Sequence, residues 1–132
     1  MLDLERLKAV TDTVRFRVGD TIIQEGSTLP RSMYVVLEGE VYVYKDYKQE
    51  DESLLATLGT GEIFGEMALF LGKPRGATVI AKSPTRVAEI TKENMNDVFK
   101  QFPELPHIMM KVLSSRLREG DEGGFARLPR LY

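Results

Sequence analysis

Cysteine is absent from this sequence of 132 residues, and histidine occurs once, at His107. The chain therefore forms no disulfide, no thiolate-bound metal site and no iron–sulfur cluster. A single histidine also excludes the histidine cluster that metalloenzymes of the cupin type need. No pairing of a nucleophile with a base stands out, so we expect a protein that is not an enzyme, with no catalytic residues, no metal and no cofactor.

Long apolar runs and a strong net charge are also missing. No apolar run approaches the roughly 18 residues of a membrane-spanning helix, and the first residues lack the pattern of a signal peptide. We therefore expect a cytoplasmic protein without a membrane partner. The formal net charge of -2 offers no basic surface for nucleic acid, so direct nucleic-acid binding is not expected.

The remaining composition is that of an ordinary globular domain. Apolar residues make up 42% and charged residues 29%, and 132 residues suffice for one hydrophobic core. The glycine-rich segment that begins at Gly120 is typical of a flexible linker. We predict a folded domain at 1–119 and a tail at 120–132 that is flexible or forms a lid. Because few residues follow Gly120, we expect no DNA-binding domain in this chain.

Short strand patterns separated by glycine turns fill the middle of the chain, which is typical of a β-sandwich or barrel. Alternating or continuous apolar residues predict strands at 14–18, 21–23, 33–37, 41–44, 54–58, 63–64, 78–81 and 86–90. We expect a hairpin through Gly39 between the third and fourth strands, and a last hairpin through Ser83 and Pro84. The polar segment 46–53 is predicted to be an exposed hairpin tip.

Helical periodicity appears at both ends of these strands. Leu4, Leu7 and Val10 follow Asp3, a residue suited to cap a short helix. Toward the C-terminus, Thr91 is the predicted cap of one helix, and an apolar stripe from Leu105 to Leu117 predicts another. That stripe fits either packing against the core or a homodimer seam.

Segment 64–78 combines the residue types of a clamp for a phosphate and a sugar. Gly65 permits a close approach of the backbone, and Glu66 begins a short apolar turn whose N–H groups suit an anion. Gly72 and Pro74 end that turn, so that Arg75 can face the same hollow as Glu66. Arginine grips phosphate oxygens in pairs, whereas a carboxylate suits a hydroxyl. A ligand with a hydroxyl beside a phosphate would satisfy both.

The string Phe64-Gly65-Glu66, Ala68-Leu69, Pro74-Arg75 and Ala77-Thr78 resembles the phosphate-binding cassette of the cyclic nucleotide-binding domain family. This family includes the catabolite activator protein, protein kinase A regulatory subunits and cyclic-nucleotide-gated channels. The resemblance covers about residues 13–118. It implies a mainly β fold with flanking helices, namely a β-jelly roll (double-stranded β-helix) with a short N-terminal helix and two C-terminal helices.

The resemblance also implies roles for single residues. Glu66 would hold the ribose 2′-hydroxyl, Arg75 would hold the cyclic phosphate, and backbone amides of the cassette would complete the cradle. The ligand-binding residues predicted in this way are Gly65, Glu66, Met67, Ala68, Arg75, Gly76, Ala77 and Thr78. Gly76 offers no hydroxyl, which in the family is associated with adenine, so we predict cAMP as the ligand in preference to cGMP.

These implications favour a regulatory module that binds a cyclic nucleotide and moves its C-terminal helices on binding. Its partner would be an unidentified effector protein or a fused output domain. The tail at 120–132 could close over the purine as a lid. The alternative is a degenerate member of the fold that binds no nucleotide and serves as a protein-interaction module, although the presence of both Glu66 and Arg75 argues against it.

Overall fold

The computed structural model of the protein describes residues 2–111 and 114 and contains two four-stranded antiparallel sheets. The first sheet has the strand order β1-β8-β3-β6, and the second has the order β2-β7-β4-β5. The elements are α1 (Leu4–Val10), β1 (Asp12–Phe16), β2 (Thr21–Ile23), β3 (Met33–Glu38), β4 (Val41–Lys45), β5 (Ser53–Leu58), β6 (Ile63–Phe64), α2 (Glu66–Leu71), β7 (Thr78–Ala81), β8 (Thr85–Ile90) and α3 (Met95–Gln101). Residues 104–111 are also helical. The predicted jelly roll with flanking helices is confirmed.

The hairpins predicted through Gly39 and through Ser83 and Pro84 are both wrong. Strands β3 and β4 belong to different sheets, and so do β7 and β8. The turns at Gly39 and at Ser83-Pro84 therefore carry the chain from one sheet to the other. Local alternation could not reveal this, because β3 pairs with β8 and β6, which lie far away in the sequence. The hairpin between β4 and β5, with exposed residues 48–53 at its tip, is present.

The two crossing turns pack against each other. The Glu40 carbonyl oxygen accepts hydrogen bonds from the Lys82 N–H at 2.9 Å and from the Thr85 hydroxyl at 3.1 Å. Gly39 has a φ of 90°, and a Cβ atom there would collide with the Pro84 carbonyl oxygen. Only glycine satisfies both the backbone angle and the close approach at this crossing.

Strand β3 buries both of its faces, which explains its continuous apolar sequence. Met33, Val35 and Leu37 belong to the helix-side core, a cluster that also includes residues of α1, α2, α3 and the helical segment 104–111. Tyr34 and Val36 belong to the inter-sheet core, which includes residues of β4, β6, β7 and β8. The first sheet thus separates two cores and supports the helices on its outer side.

The helix ends differ in detail from the sequence prediction. The Asp3 carboxylate caps α1 as predicted and accepts from the Arg6 N–H at 3.1 Å. Strand β1 ends at Phe16, before the predicted end at Val18, which is 63% exposed. Helix α3 begins at Met95, and its N-cap is Asn94 rather than Thr91.

Thr91 still contributes to the cap of α3. The Thr91 N–H donates to Asn94 Oδ1 at 2.8 Å, and the Asn94 N–H donates to Thr91 Oγ1 at 3.2 Å. The two side chains thereby close the chain before the first helical turn, and the Met95 N–H donates to the Thr91 carbonyl at 2.9 Å. The segment 104–111 becomes helical one residue before Leu105, at which the predicted apolar stripe begins.

Several predictions concern residues outside the described ranges. These are the far part of the apolar stripe, at Val112, Leu113 and Leu117, and the tail at 120–132. In the part of the stripe that is described, Leu105 and Met109 are buried in the helix-side core. Across residues 2–111 and 114, no helix is long and apolar enough to cross a membrane.

Candidate functional site

Two glycines set the limits of α2, the short helix of the cassette. Gly65 is its N-cap with a φ of 84°, and Gly72 is its C-cap with a φ of 64°. Both angles lie in the left-handed region, where residues with a Cβ atom are strained. The Gly72 N–H donates to the Ala68 carbonyl at 3.1 Å and closes the helix. The predicted six-residue turn from Glu66 to Leu71 therefore forms as a helix with abrupt ends.

Gly65 is also the point at which Arg75 approaches the cassette backbone. A Cβ atom at position 65 would lie 2.9 Å from Arg75 Nη1 and 3.0 Å from the Ser32 carbonyl oxygen. Any other residue here would push the guanidinium out of its position. Within the described chain, the close approach at Gly65 is made by the Arg75 side chain, and an approach to a ligand stays a prediction.

Main-chain hydrogen bonds fix Arg75 beside the turn that follows β2. The Arg75 N–H donates to the Ser27 carbonyl at 2.9 Å, and the Arg75 carbonyl accepts from the Gly26 N–H at 2.8 Å. This reciprocal pair resembles one rung of an antiparallel ladder. It brings the end of the cassette against the β2–β3 loop (residues 24–32), although the two are separated by some fifty positions in the sequence.

The Arg75 side chain is 6% exposed and bonds to three backbone carbonyls. Its Nη1 donates to Gly65 at 3.0 Å, and its Nη2 donates to Pro30 at 2.6 Å and to Ser32 at 2.8 Å. The guanidinium carbon also lies 6.0 Å from the centre of the Tyr34 ring. Arg75 thus holds the start of α2 and the β2–β3 loop together.

Burial has the largest effect on the charge of Arg75, and neighbouring groups offset it only in part. Burial lowers the pKa of Arg75, while attraction to Tyr34, Glu66 and Glu89 acts in the opposite direction. Arg75 remains protonated despite the lowered pKa, since the ordinary pKa of an arginine lies far above neutral pH. A permanent positive charge with fixed donors is therefore available at this position.

Glu66 is fully buried at the first position of α2. In residues 2–111 and 114, Glu66 and Arg75 are the two charged side chains that are buried. Their charges attract each other, as the effect of Glu66 on the pKa of Arg75 shows. The structure thus brings the two principal predicted site residues together.

The other predicted site residues divide into buried and accessible ones. Ala68, Ala77 and Thr78 are buried, Met67 is half-buried, and Gly76 is exposed. The Thr78 hydroxyl oxygen accepts from the Glu25 N–H at 3.0 Å, so this side chain supports the turn after β2.

A hollow of about 200 Å³ adjoins the guanidinium of Arg75. It is lined by Thr21, Ile22, Ile23, Gln24, Ser27, Leu29, Pro30, Tyr34 and Arg75. The Tyr34 ring stacks on Phe64 with a centroid distance of 5.2 Å, which fixes its orientation. Glu66 is not among the lining residues, so this hollow reaches the arginine side of the site.

Sequence reasoning did not identify Pro30, Ser32 and Tyr34 as parts of the site. Pro30 and Ser32 contribute carbonyl oxygens, which every residue carries and which leave no signal in a sequence. In the sequence, Tyr34 looks like a core residue of β3. Its hydroxyl group, on a strand that is otherwise mostly apolar and buried, was the one sign that it could belong to the site. No group of three or more metal-ligating side chains occurs in the described residues.

The chain is similar to known proteins over most of its length. The family model "Cyclic nucleotide-binding domain" matches residues 13–102. The cyclic AMP receptor protein of Thermus thermophilus is 32% identical over 103 residues, covering 78% of this chain and 47% of the receptor. The crystal structure of the T. thermophilus catabolite activator protein superposes with a TM-score of 0.78 at 28% identity, covering 91% of this chain and 56% of that one.

A third relative was solved with two different ligands. The EAL enzyme Bd1971 is 33% identical in structures described as its cAMP-bound and cGMP-bound forms, each with a TM-score of 0.61. The match covers 85% of this chain and 29% or 30% of the enzyme. This chain spans about half of the receptor protein and a smaller part of the enzyme. It belongs to the cyclic nucleotide-binding domain family.

Proposed function

We propose that the site around Arg75 and Glu66 binds cAMP and that binding changes the packing of the helices after β8. The observation that supports this most directly is the burial of one arginine and one glutamate in the same cassette. Burial of charged side chains is rare because it is costly, and a carboxylate beside a guanidinium is the pair of groups that a ligand with a hydroxyl and a phosphate requires. This role is binding and regulation, without catalysis.

Arg75 has donors to offer a phosphate. A guanidinium carries five N–H groups, and the hydrogen bonds to Gly65, Pro30 and Ser32 occupy three of them. The remaining donors would bind an oxygen of the cyclic phosphate, together with backbone amides of residues 65–68 and 77. Glu66 can only accept hydrogen bonds when ionised, so we assign it to the ribose 2′-hydroxyl.

A path from the cassette to the C-terminal helices is present in the described packing. Leu69 of α2 lies in the helix-side core with Val98 of α3 and with Phe102. Phe70 stacks on Phe99 of α3 with a centroid distance of 6.4 Å. A shift of α2 would therefore change its packing against α3. A ligand would shift the equilibrium between two packings of these helices by its difference in affinity for them.

The cAMP preference rests on Gly76 and remains a proposal. Gly76 is exposed beside Arg75 and has no side chain with which to bind guanine. The relative Bd1971 was solved with cAMP and with cGMP, so family membership alone does not select the base. A homodimer seam along 105–117, a lid at 120–132, an effector partner and a cytoplasmic location likewise stay predictions.

Calorimetric titration of nucleotide-stripped protein with cAMP and cGMP tests the binding site. Arg75→Lys keeps the positive charge and loses the planar fork, and we expect its affinity for cAMP to fall by roughly two orders of magnitude. Arg17→Ala removes an exposed arginine and is the matched control, with an expected affinity equal to that of the wild type. Thermal melting of both variants verifies that they fold.

One observation favours the alternative of an interaction module without nucleotide. Arg75 already bonds to three carbonyls, so the fold itself uses this arginine. If folded, stripped wild-type protein binds neither nucleotide, the alternative holds and the cassette has a structural role only.

A further inference from the structure

Arg31 lies in the β2–β3 loop, and the proposed function assigns it no role. Its side chain reaches the C-terminal end of α2, where Nε donates to the Ala68 carbonyl at 3.4 Å. The same carbonyl accepts from the Gly72 N–H at 3.1 Å. A cation at the C-terminal end of a helix is favourable, because the last carbonyls lack helical partners and carry partial negative charge.

The Arg31 guanidinium also lies against the Cα atom of Gly72. A Cβ atom at position 72 would be 2.5 Å from Nη2 and 2.9 Å from Cζ of Arg31. The glycine therefore serves two purposes, since it adopts the left-handed C-cap and leaves room for the guanidinium. Contact with a glycine surface and with a helix carbonyl fixes where this side chain lies.

The residues on either side of Arg31 hold the other end of α2. Pro30 and Ser32 present their carbonyls to Arg75 Nη2, while Arg75 Nη1 donates to Gly65, the N-cap of α2. The segment 30–32 is thus connected to the start of α2 through Arg75 and to its end through Arg31. These contacts form a continuous connection from Arg75 through segment 30–32 to Ala68 and Gly72.

We propose that Arg31 is a positioning residue that couples the phosphate-binding position at Arg75 to the C-terminal end of α2. This inference rests on the proposed function for its consequence in signalling, because α2 contacts α3 through Phe70 and Phe99. The structural contact itself can be tested without any nucleotide.

The first experiment is a double-mutant cycle on nucleotide-free protein, with Arg31→Ala and Gly72→Ala measured singly and together by urea denaturation. An alanine at 72 displaces the guanidinium and strains the left-handed C-cap, whereas in the Arg31→Ala background only the strain remains. We expect Gly72→Ala to lower the folding equilibrium constant about threefold more when Arg31 is present. Additive effects would show that Arg31 does not hold this end of the helix.

The second experiment measures hydrogen exchange of α2 and α3 with and without saturating cAMP. In Arg31→Ala we expect the Gly72 amide to exchange several-fold faster without nucleotide. In the same variant, the change in the exchange rate of the Phe99 amide on cAMP binding should be smaller than in the wild type, even though the nucleotide is bound. Arg31→Lys should restore part of both signals, because it keeps a cation near the Ala68 carbonyl. Arg15→Ala removes an exposed arginine of β1 and is the control.

The outcomes separate the two proposals. If the wild type fails to bind cAMP, the proposed function is wrong, and the nucleotide-free cycle still decides whether Arg31 positions α2. If cAMP binds and the exchange change at Phe99 is the same in wild type and Arg31→Ala, the coupling role is wrong while the proposed function stands.

Discussion

Arg75 and Ser32 are separated by 43 positions and joined by a buried hydrogen bond of 2.8 Å from the guanidinium Nη2 to the Ser32 carbonyl. The residue proposed to recognise phosphate is therefore also a structural link between the cassette and the β2–β3 loop. Its two roles can be separated by experiment, because stability is measurable without a ligand.

Removing this link should destabilise the protein without nucleotide. Arg75→Ala leaves the carbonyls of Pro30, Ser32 and Gly65 without their described donor, and we expect the free energy of unfolding to fall by about 2 to 4 kcal/mol. Urea denaturation measures it. Arg17→Ala, at an exposed position, should change it by less than about 0.5 kcal/mol. Equal stability of the two variants would remove the structural role of Arg75.

The assignment of Glu66 to a sugar hydroxyl can be tested with a modified ligand. Wild-type protein should bind cAMP about tenfold or more tightly than 2′-deoxy-cAMP, because a hydrogen bond to a buried carboxylate is lost with the hydroxyl. In Glu66→Gln this preference should shrink. Calorimetry with both ligands on both proteins completes the cycle, and an unchanged preference would place the hydroxyl elsewhere.

Base preference should respond to a hydroxyl beside Arg75. Gly76 is exposed and follows Arg75 directly in the sequence. We expect Gly76→Thr to raise the affinity for cGMP relative to cAMP, and Gly76→Val, which has the same shape without the hydroxyl, to leave the ratio near the wild-type value. Competition titration measures it. An equal shift in both variants would mean that bulk, not hydrogen bonding, sets the ratio.

The crossing turn at Gly39 allows steric cost to be separated from backbone strain. Gly39 and Gly19 have nearly equal φ angles, of 90° and 86°. A Cβ atom at 39 would meet backbone of the other crossing turn, whereas nothing lies within 4 Å of one at 19. Gly19→Ala should therefore cost about 1 kcal/mol of unfolding free energy, and Gly39→Ala about 1 to 3 kcal/mol more. Denaturation midpoints at equal m-value test the difference.

A salt bridge ties the turn after β2 to the end of β4 and predicts a pH dependence. Glu25 accepts from Lys45 Nζ at 2.8 Å and from the Asp46 N–H at 3.0 Å. Burial tends to raise the pKa of Glu25, but these two hydrogen bonds and the charge of Lys45 together outweigh it and lower that pKa below 4.5. Hydrogen bonding to Glu25 raises the pKa of Lys45 above 10.5, against the effect of burial.

The sign of the effect follows from these two directions. The Glu25 contribution is complete above pH 4.5 and disappears as the pH falls through the lowered pKa, whereas that of Lys45 disappears as the pH rises through the raised one. Glu25→Gln should cost about 0.5 to 1 kcal/mol of unfolding free energy at pH 7 and less as the pH falls through the lowered pKa. Glu40→Gln, at the longer and more exposed Lys82 pair, should cost less. A pH-independent cost for Glu25→Gln would contradict the linkage.

The sequence predicts best those features that depend on the residue types of one short segment. Segment 64–78 has the predicted glycine limits and the predicted helix between them, because these depend on residue types at short spacing. Strands were located for the same reason, since an alternating or continuous apolar pattern is local.

What the sequence could not reveal depends on distant pairing. Strand alternation is the same whether β3 folds back on β4 or continues into another sheet, so both crossing turns were mistaken for hairpins. The hydrogen bonds from Arg75 to the Pro30 and Ser32 carbonyls could not be predicted either, because every residue has a main-chain carbonyl. The start of α3 differs from the prediction because Asn94 and Thr91 share the capping role.

The pairing of β1 with β8 has a consequence for the order in which the protein can fold. Asp12 lies opposite Glu89 and Phe16 opposite Thr85, so the first strand of the first sheet is paired with its last. During synthesis, β1 cannot pair with β8 until about seventy further residues have been made. Contacts of such long sequence separation slow folding. We therefore expect the second sheet, whose β4–β5 hairpin is local, to form before the first sheet closes.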